Sequence, residues 1–480
     1  MTSQHDTLAP SSMPTALATY IETERRRADV AGTAVVAFDR NGLRFEGYFG
    51  YANLGTGERV SSETLFRAAS ISKLFTTSLV MQEIDRGTLA LDEPMNRKLD
   101  ARTQLRDAKG LPADHVTLRH LLTHTSGLPV SWKGLEYGSV LMKHIVNGIR
   151  LPETLDDVVA GQRTIREPGE RIVYSNGGFN LLGHLVARLN RQPFEQLVRD
   201  RVLAPLAMHA STFPVDPHMA QLAVPYGRAL GPGAGRKPAP SLRNLSGPAG
   251  ALITTGPELA RFGRMVLNGG ELDGYRVLPS ALLDDALRFH ARNHRDLDDG
   301  YGLGFAVAEF RGRRRVGHDG GLGGVSTRVA MLPDDGVGVV VLTNGGDALY
   351  VSRVSERVLE AMLGLEPEPV PGSPAGIPET LAEAWRAHTR RVVGKYRMVD
   401  FAPPGVVTRL MGIIARPRVS HVSDGVLALD GTGFETAFLY PDGAPGRYRA
   451  AHPMMNGGRA IVEERQDGVH FWGSILHLQK

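Results

Sequence analysis

Cysteine is absent from all 480 residues. That excludes a disulfide framework, a cysteine nucleophile and any cysteine-ligated zinc or iron–sulfur centre. No apolar run reaches the roughly 18 residues that a membrane-spanning helix needs. No Gly-x-Ser-x-Gly occurs, so the nucleophile elbow of the α/β-hydrolases is missing too. Charge of one sign is never concentrated. The formal net charge is +4, and the basic runs are as short as Arg25-Arg26-Arg27 and Arg313-Arg314-Arg315. Solvated helix and turn charges explain such runs better than a nucleic-acid stripe does. The opening MTSQHDTLAPSSMPTALATY has no basic start followed by an apolar run. The expectation is therefore no signal peptide and a cytoplasmic protein.

What remains is the composition of an ordinary globular protein, 42% hydrophobic and 22% charged, able to build a core without disulfides. The length suggests a large domain with a smaller one attached. Residues 14 to 29 carry apolar Leu17, Tyr20 and Ile21 at helical spacing. GTAVVAFDRNGLRFEGYFGYAN reads as two strands around an Asn41-Gly42 hairpin turn. The stretch from Phe66 to Gly87 reads as one long helix. Residues 228 to 248, rich in Pro, Gly and Ala, read as a surface loop. LARFGRMVLNGGEL reads as a helix stopped by a glycine pair. From Tyr301 to Asn344, FAVAEFRG, RRVGHDG, STRVAMLP and GVGVVVLTN have strand length and composition. A chain that starts with a hairpin and returns to strands near residue 340 predicts one antiparallel sheet, its first and last strands brought together. EPEPVPGSPAGIPE, at 366–379, has linker composition. Beyond it, Asp-Gly at 424–425, 430–431, 442–443 and 467–468 and Asn456-Gly457 separate short alternating runs, an all-β pattern.

The chemistry starts at Ser70-Ile71-Ser72-Lys73. A hydroxyl needs a base within reach to act as a nucleophile. Residues three apart on a helix share a face and neighbours do not, so the spacing pairs Ser70, not Ser72, with Lys73. Ser70 in a first helical turn would also meet free N–H groups and the helix dipole. A serine at a helix start is equally a common N-cap, and a lysine base must be buried to lose its proton. Supporting groups are therefore needed, and the sequence offers two sets. In EPGERIVYSN, Tyr174 and Asn176 are two apart and face one way on an extended segment. A tyrosine can exchange a proton, and an amide can hold a carbonyl and a lysine. In GHDGGLGG, His318 stands on a predicted strand, and Gly320 and Gly321 let a substrate approach backbone N–H groups.

In this order the three pieces resemble the serine β-lactamase and penicillin-binding protein superfamily, on the side of the class C β-lactamases, family VIII esterases and D-aminopeptidases. The supporting phrases are LFRAASISKLFT, VTLRHLLTHTSGLP, EPGERIVYSNGGFNLLG, GALITTGPELARF, YGLGF and the GHDGG meander. The resemblance implies an α/β (α+β) fold with an antiparallel sheet flanked by helices, and a lipocalin-like all-β domain after it. The divisions expected are a flexible N-terminus (1–13), a hydrolase domain (14–363), a Pro-rich linker (364–383) and a C-terminal domain (384–480).

The resemblance also implies roles. Ser70 is the acylated nucleophile, Lys73 its base, and Tyr174 the proton relay that also serves deacylation. Asn176 orients the substrate. The N–H groups of Ser70 and Gly321 hold the oxyanion, with His318 and Gly320 lining the edge of the cleft. The third motif departs from the Lys-Thr-Gly of classical β-lactamases: His318-Asp319-Gly320 offers a weaker partner for a β-lactam carboxylate. The function so implied is hydrolysis of ester or amide substrates, D-amino-acid compounds among them. The alternative is a penicillin-binding-protein-type thioesterase that cyclises peptides from an acyl-carrier protein, or a D-stereospecific peptidase; a β-lactamase or a non-catalytic binding protein on the same scaffold ranks below both. Neither a cofactor nor a metal is expected; the partner is a small-molecule or peptide substrate. His120 and His124, four apart, are assigned to a structural HTSGLP turn rather than to a metal. The acidic Asp296–Gly300 is too short for a calcium loop.

Overall fold

A computed structural model describes residues 11–130, 153–214, 219, 221–228, 236–239, 246–367, 379–399, 417–423, 425–430, 437–450, 459–473 and 476–480. Residues 1–10 of the expected flexible N-terminus and 368–378 of the expected linker lie outside these. Ser11 and Ser12 pair in parallel with Phe45 and Glu46.

The expected antiparallel sheet is present. Gly32–Asp39 and Leu43–Asn53 form the first hairpin, in which Asp39 Oδ1 accepts from the N–H groups of Asn41 (2.8 Å) and Gly42 (3.0 Å). Val337–Thr343 then pairs with Gly32–Asp39, Val340 opposite Val36. The sheet continues outward through Val325–Leu332, Arg313–Leu322, Ala306–Phe310 and Asp299–Tyr301.

Alternation explains why the central strands read as unbroken apolar runs: both faces are covered. Ala34, Val36, Phe38, Val340 and Leu342 point into one core, with Phe75 of the Ser72–Asp85 helix and Phe262 of the Gly256–Leu267 helix. Those two rings lie 4.5 Å apart. A Cβ on Gly263 would sit 2.3 Å from the Phe38 ring, so the helix packs at this distance because the position is glycine. Val35, Ala37, Val339 and Val341 point the other way, to Leu17 and Ile21 of the Thr15–Arg27 helix and Val354 and Val358 of the Ala348–Leu363 helix.

Two local readings differ. The Phe66–Gly87 stretch is not one helix: Phe66–Ala69 is a strand, Phe66 paired with Thr254, and the helix runs from Ser72 to Asp85. Ala69 adopts a left-handed φ of 49°, which turns the chain between the two elements. Within 228–248, read as a loop, Arg236–Pro238 pairs with Tyr226–Arg228.

The C-terminal all-β unit is an antiparallel half-barrel. Gly394–Lys395 pairs with Arg418–Ser423 at one end of the meander, and Arg397–Met398 pairs with Leu476–Gln479 at the other. Asp442-Gly443 and Asp467-Gly468 stand at hairpin turns, as their pattern implied. The helix Glu379–Val392, which the sequence pattern did not single out, inserts Trp385 into this barrel, edge-on to Tyr448 at 5.2 Å. The barrel meets the larger unit through Trp472. Its ring lies 5.9 Å from that of His294 and 5.5 Å from the Arg171 guanidinium, and it clusters with Leu297 and Ile461. Among the described residues, no helix is long and apolar enough to cross a membrane.

Candidate active site

Ser70 occupies the turn between the Phe66–Ala69 strand and the Ser72–Asp85 helix, two residues before the helix proper. The turn is held by the Lys73 N–H on the Ser70 carbonyl at 3.0 Å. The helix start has no side-chain cap, so the capping role often taken by such a serine is not what Ser70 does. Ser72 is the structural serine. Its Oγ donates to the Ala69 carbonyl at 2.6 Å and accepts from the Leu252 N–H at 2.9 Å, tying strand, helix and the neighbouring strand Leu252–Thr254 together.

Lys73 is fully buried. Its Nζ lies 3.1 Å from Ser70 Oγ, 2.8 Å from Asn176 Oδ1 and 2.8 Å from the Ala249 carbonyl oxygen. Burial holds the Lys73 amine well below the usual lysine range, because a charged ammonium loses its hydration there. The required lowering thus comes from desolvation. Two of its three contacts are carbonyl oxygens, which can only accept. A neutral amine that donates to both directs its lone pair to the third contact, Ser70 Oγ.

The Tyr174–Asn176 pair reaches this lysine from a junction of extended chain and helix. Ser175 is extended and caps the Asn176–Asn190 helix, its Oγ accepting from the Gly178 N–H at 3.1 Å. The Tyr174 ring centroid lies 4.8 Å from Lys73 Nζ, so ring and Asn176 amide do share one side, as their spacing implied. The second acceptor, the Ala249 carbonyl, belongs to the short Gly247–Gly250 helix, which packs on the Asn176–Asn190 helix. A Cβ at Gly183 would meet Pro248 at 2.2 Å, so that close approach requires glycine. Sequence reading missed Ala249, and its side chain carries no signal of the role.

The third motif is on the Arg313–Leu322 strand. Gly320 faces Thr327 across the ladder, and Thr327 Oγ1 donates to the Ala68 carbonyl at 3.0 Å. A Cβ on Gly320 would lie 2.2 Å from that same carbonyl oxygen. Glycine here lets the strand edge press against the backbone just ahead of Ser70. Gly321 is exposed, with nothing near the position a Cβ would take. His318 is buried, its ring 6.2 Å from that of Tyr174 and 6.4 Å from that of Tyr301. Its Nδ1 meets the Asp319 carbonyl at 2.6 Å; a carbonyl only accepts, so Nδ1 carries the proton. Burial first, and the nearby Lys73 second, lower the His318 imidazole to about 4, so it is neutral at pH 7. Asp319 turns away to Arg328.

Tyr301, from the YGLGF phrase, completes an aromatic wall with Tyr174, and burial raises its phenol well above the usual value. Of the two histidines set aside, His120 pairs with Thr117 in a capping box. His124 lies against Tyr174. Among the described residues, no cluster of three or more His, Asp or Glu is arranged to hold a metal ion.

Known proteins give this arrangement a lineage. The family pattern described as Beta-lactamase matches residues 17–361. The chain is 30% identical over 360 residues to penicillin-binding protein 4 of Amycolatopsis lactamdurans, covering 73% of this chain and 91% of the relative. Its structure is similar to that of the octameric penicillin-binding protein homologue from Pyrococcus abyssi, with a TM-score of 0.64 at 23% identity over 97% of this chain and 99% of the other. It is also similar to the D-amino acid amidase from Ochrobactrum anthropi SV3, with a TM-score of 0.56 at 22% identity over 73% of this chain and 98% of that one. The sequence match spans both the Ser70–Lys73 turn and the His318 strand, and the chain belongs to the beta-lactamase family of serine hydrolases.

Proposed function

We propose that the protein hydrolyses ester or amide acyl donors that carry no free carboxylate, D-amino-acid amides among them, through an acyl-enzyme on Ser70. The observation that carries this is the environment of Lys73: buried, with two carbonyl acceptors and Ser70 Oγ as the three polar contacts of its Nζ among the described residues. As Ser70 Oγ bonds to the substrate carbonyl carbon, its proton passes to Lys73 Nζ. The oxyanion is received by the N–H groups of Ser70 and Gly321. Collapse breaks the bond to the leaving group, which takes the proton back by way of Lys73 and Tyr174. Water then adds to the acyl carbon, giving up a proton to the same pair, and the acid leaves as Ser70 is re-protonated.

The preference for donors without a carboxylate rests on His318. An imidazole that stays neutral down to about pH 4 offers no fixed cation to a substrate carboxylate. Weak turnover of β-lactams, which carry that carboxylate, is the expected consequence. The test uses a fluorophosphonate probe, a short p-nitrophenyl ester and a D-amino-acid amide. Wild type should be labelled once per chain and should turn over the ester, and Ser70→Ala should do neither. Equal labelling of the two proteins would sink the assignment.

A further inference from the structure

His124 makes contacts that the proposed reaction has not yet used. Its backbone and its side chain grip the same three residues. The His124 carbonyl accepts from the Val173 N–H at 2.7 Å, and its Nδ1 accepts from the Ser175 N–H at 3.0 Å. Between these two bonds stands Tyr174, whose ring lies 4.4 Å from the imidazole at an interplanar angle of 34°. Phe179 and Tyr301 close the other sides at 5.0 and 4.6 Å. The residue is 1% exposed.

Two details mark this as more than filling. First, His124 adopts a left-handed φ of 57°. That conformation is uncommon for a residue with a side chain and persists where surrounding contacts over-determine it. Second, an Nδ1 that accepts from a backbone N–H puts the ring proton on Nε2, and Nε2 has no partner among the described atoms. A protonated imidazole would carry a hydrogen on Nδ1 and lose the Ser175 bond. The clamp therefore exists in the neutral form, which burial, and then the nearby Lys73 and His318, favour.

We infer that His124 is a positioning residue: its Nδ1 and carbonyl clamp Val173 and Ser175, and so fix the Tyr174 ring and the Asn176 amide against Lys73. This rests on the reading that Tyr174 and Asn176 serve Ser70. The Asn176 amide follows one residue after the clamped Ser175, at the first position of its helix. A slip of this junction would move both groups relative to the lysine. Small misplacements of reacting groups are costly because orientation supplies much of the rate.

The experiment compares two substitutions. His124→Phe keeps a ring but removes the acceptor. His124→Asn removes the ring, keeps a short acceptor near the Nδ1 position and tolerates positive φ. Turnover of p-nitrophenyl butyrate is measured as kcat and KM separately, with melting curves for each protein and Ser70→Ala alongside. The expectation is a kcat lowered at least 20-fold in His124→Phe with KM within threefold of wild type, and a kcat within tenfold of wild type in His124→Asn. A folded His124→Phe with wild-type kcat overturns the inference. So does an equal loss of kcat in both variants. If His124→Phe does not fold, His124→Asn decides alone: a kcat within tenfold supports the clamp, and a larger loss at unchanged melting temperature overturns it. Activity surviving in Ser70→Ala would instead refute the assignment of the nucleophile, whatever the His124 variants do.

Discussion

Arg328 holds Asp319 by two bonds, Nε to Oδ1 at 2.6 Å and Nη2 to Oδ2 at 2.9 Å. Arg328 sits on the strand beside Asp319, directly opposite it in register, and its Nη1 also reaches Ser352 and Ser355 of the Ala348–Leu363 helix. The pair pins the His318–Gly321 edge to that helix. Burial alone would push the Asp319 carboxyl up; Arg328 and then Arg315 hold it below the usual value. Breaking such a pair leaves an uncompensated charge, which costs about 3–5 kcal/mol for a buried pair. Arg328→Met should therefore lower unfolding free energy by roughly 3 kcal/mol in urea melts. Arg328→Met/Asp319→Leu together should cost clearly less than the single change. A double variant as damaged as the single one would show that the loss is packing, not charge.

Ser70 and Ser72 should separate cleanly. Ser72 Oγ joins the Ala69 carbonyl to the Leu252 N–H. Removing it takes a buried hydrogen bond from each of these backbone groups, at about 1–3 kcal/mol. Ser72→Ala should melt at a lower temperature yet still be labelled by a fluorophosphonate. Ser70→Ala should melt within about 0.5 kcal/mol of wild type, because a half-buried hydroxyl outside the cap is replaced, and should not be labelled. Labelling lost in Ser72→Ala with unchanged melting would reverse the assignment of the two serines.

The parts of the site legible in the sequence were those carried by side chains at short spacing. Ser70 and Lys73 are three apart, and Tyr174 and Asn176 two apart; each spacing predicted a shared side, and Lys73 Nζ lies against Ser70 Oγ, the Asn176 amide and the Tyr174 ring. The sheet was legible for the same reason, since Val337–Thr343 and Gly32–Asp39 each carry an apolar residue on both faces. What was hidden is carried by backbone or by distant pairing. The Ala249 carbonyl that receives Lys73 could belong to any residue type. Phe66–Ala69 looked helical because its partner, Leu252–Thr254, lies far along the chain and its turn depends on a left-handed alanine. His124 looked like part of a turn, since only folding brings Ser175 to its ring.

Trp472 joins the half-barrel to two segments that lead into the site. Its indole stacks on His477 at 3.8 Å, lies 5.5 Å from the Arg171 guanidinium and clusters with Leu297. Arg171 precedes Tyr174 by three residues, and Leu297 leads into the Asp299–Tyr301 strand. Trp472→Ala should cost about 2–4 kcal/mol, toward the lower part of the range for large-to-small changes because the ring is at an interface. It should also lower kcat/KM for a p-nitrophenyl ester by about tenfold, equivalent to roughly 1.4 kcal/mol of transition-state stabilisation. Trp472→Phe, which keeps a flat ring for Arg171, should recover most of the second loss. Unchanged kinetics in a destabilised Trp472→Ala would confine the contact to stability.

Stability should fall on mild acidification before any carboxylate is involved. His318 titrates at about 4 in the folded protein, against 6.5 for an ordinary histidine. Between those values the unfolded chain binds a proton that the folded chain refuses. Unfolding free energy therefore rises with pH across the window, is complete above about 6.5 and is lost as pH falls toward 4, with a slope of up to about 1.4 kcal/mol per pH unit. His124, also held low by burial, adds to the same slope. The lowered carboxylates act further down: Glu22 and Glu83 lose their advantage as pH falls below their ordinary value of 4.5, and Asp319 below 3.8, so the comparison stops at pH 5. Urea melts at about pH 6.5 and 5 should show wild type losing roughly 1.5 kcal/mol more than His318→Asn does. Parallel losses in the two proteins would mean that His318 is protonated far more readily than its burial against Tyr174 and Lys73 permits.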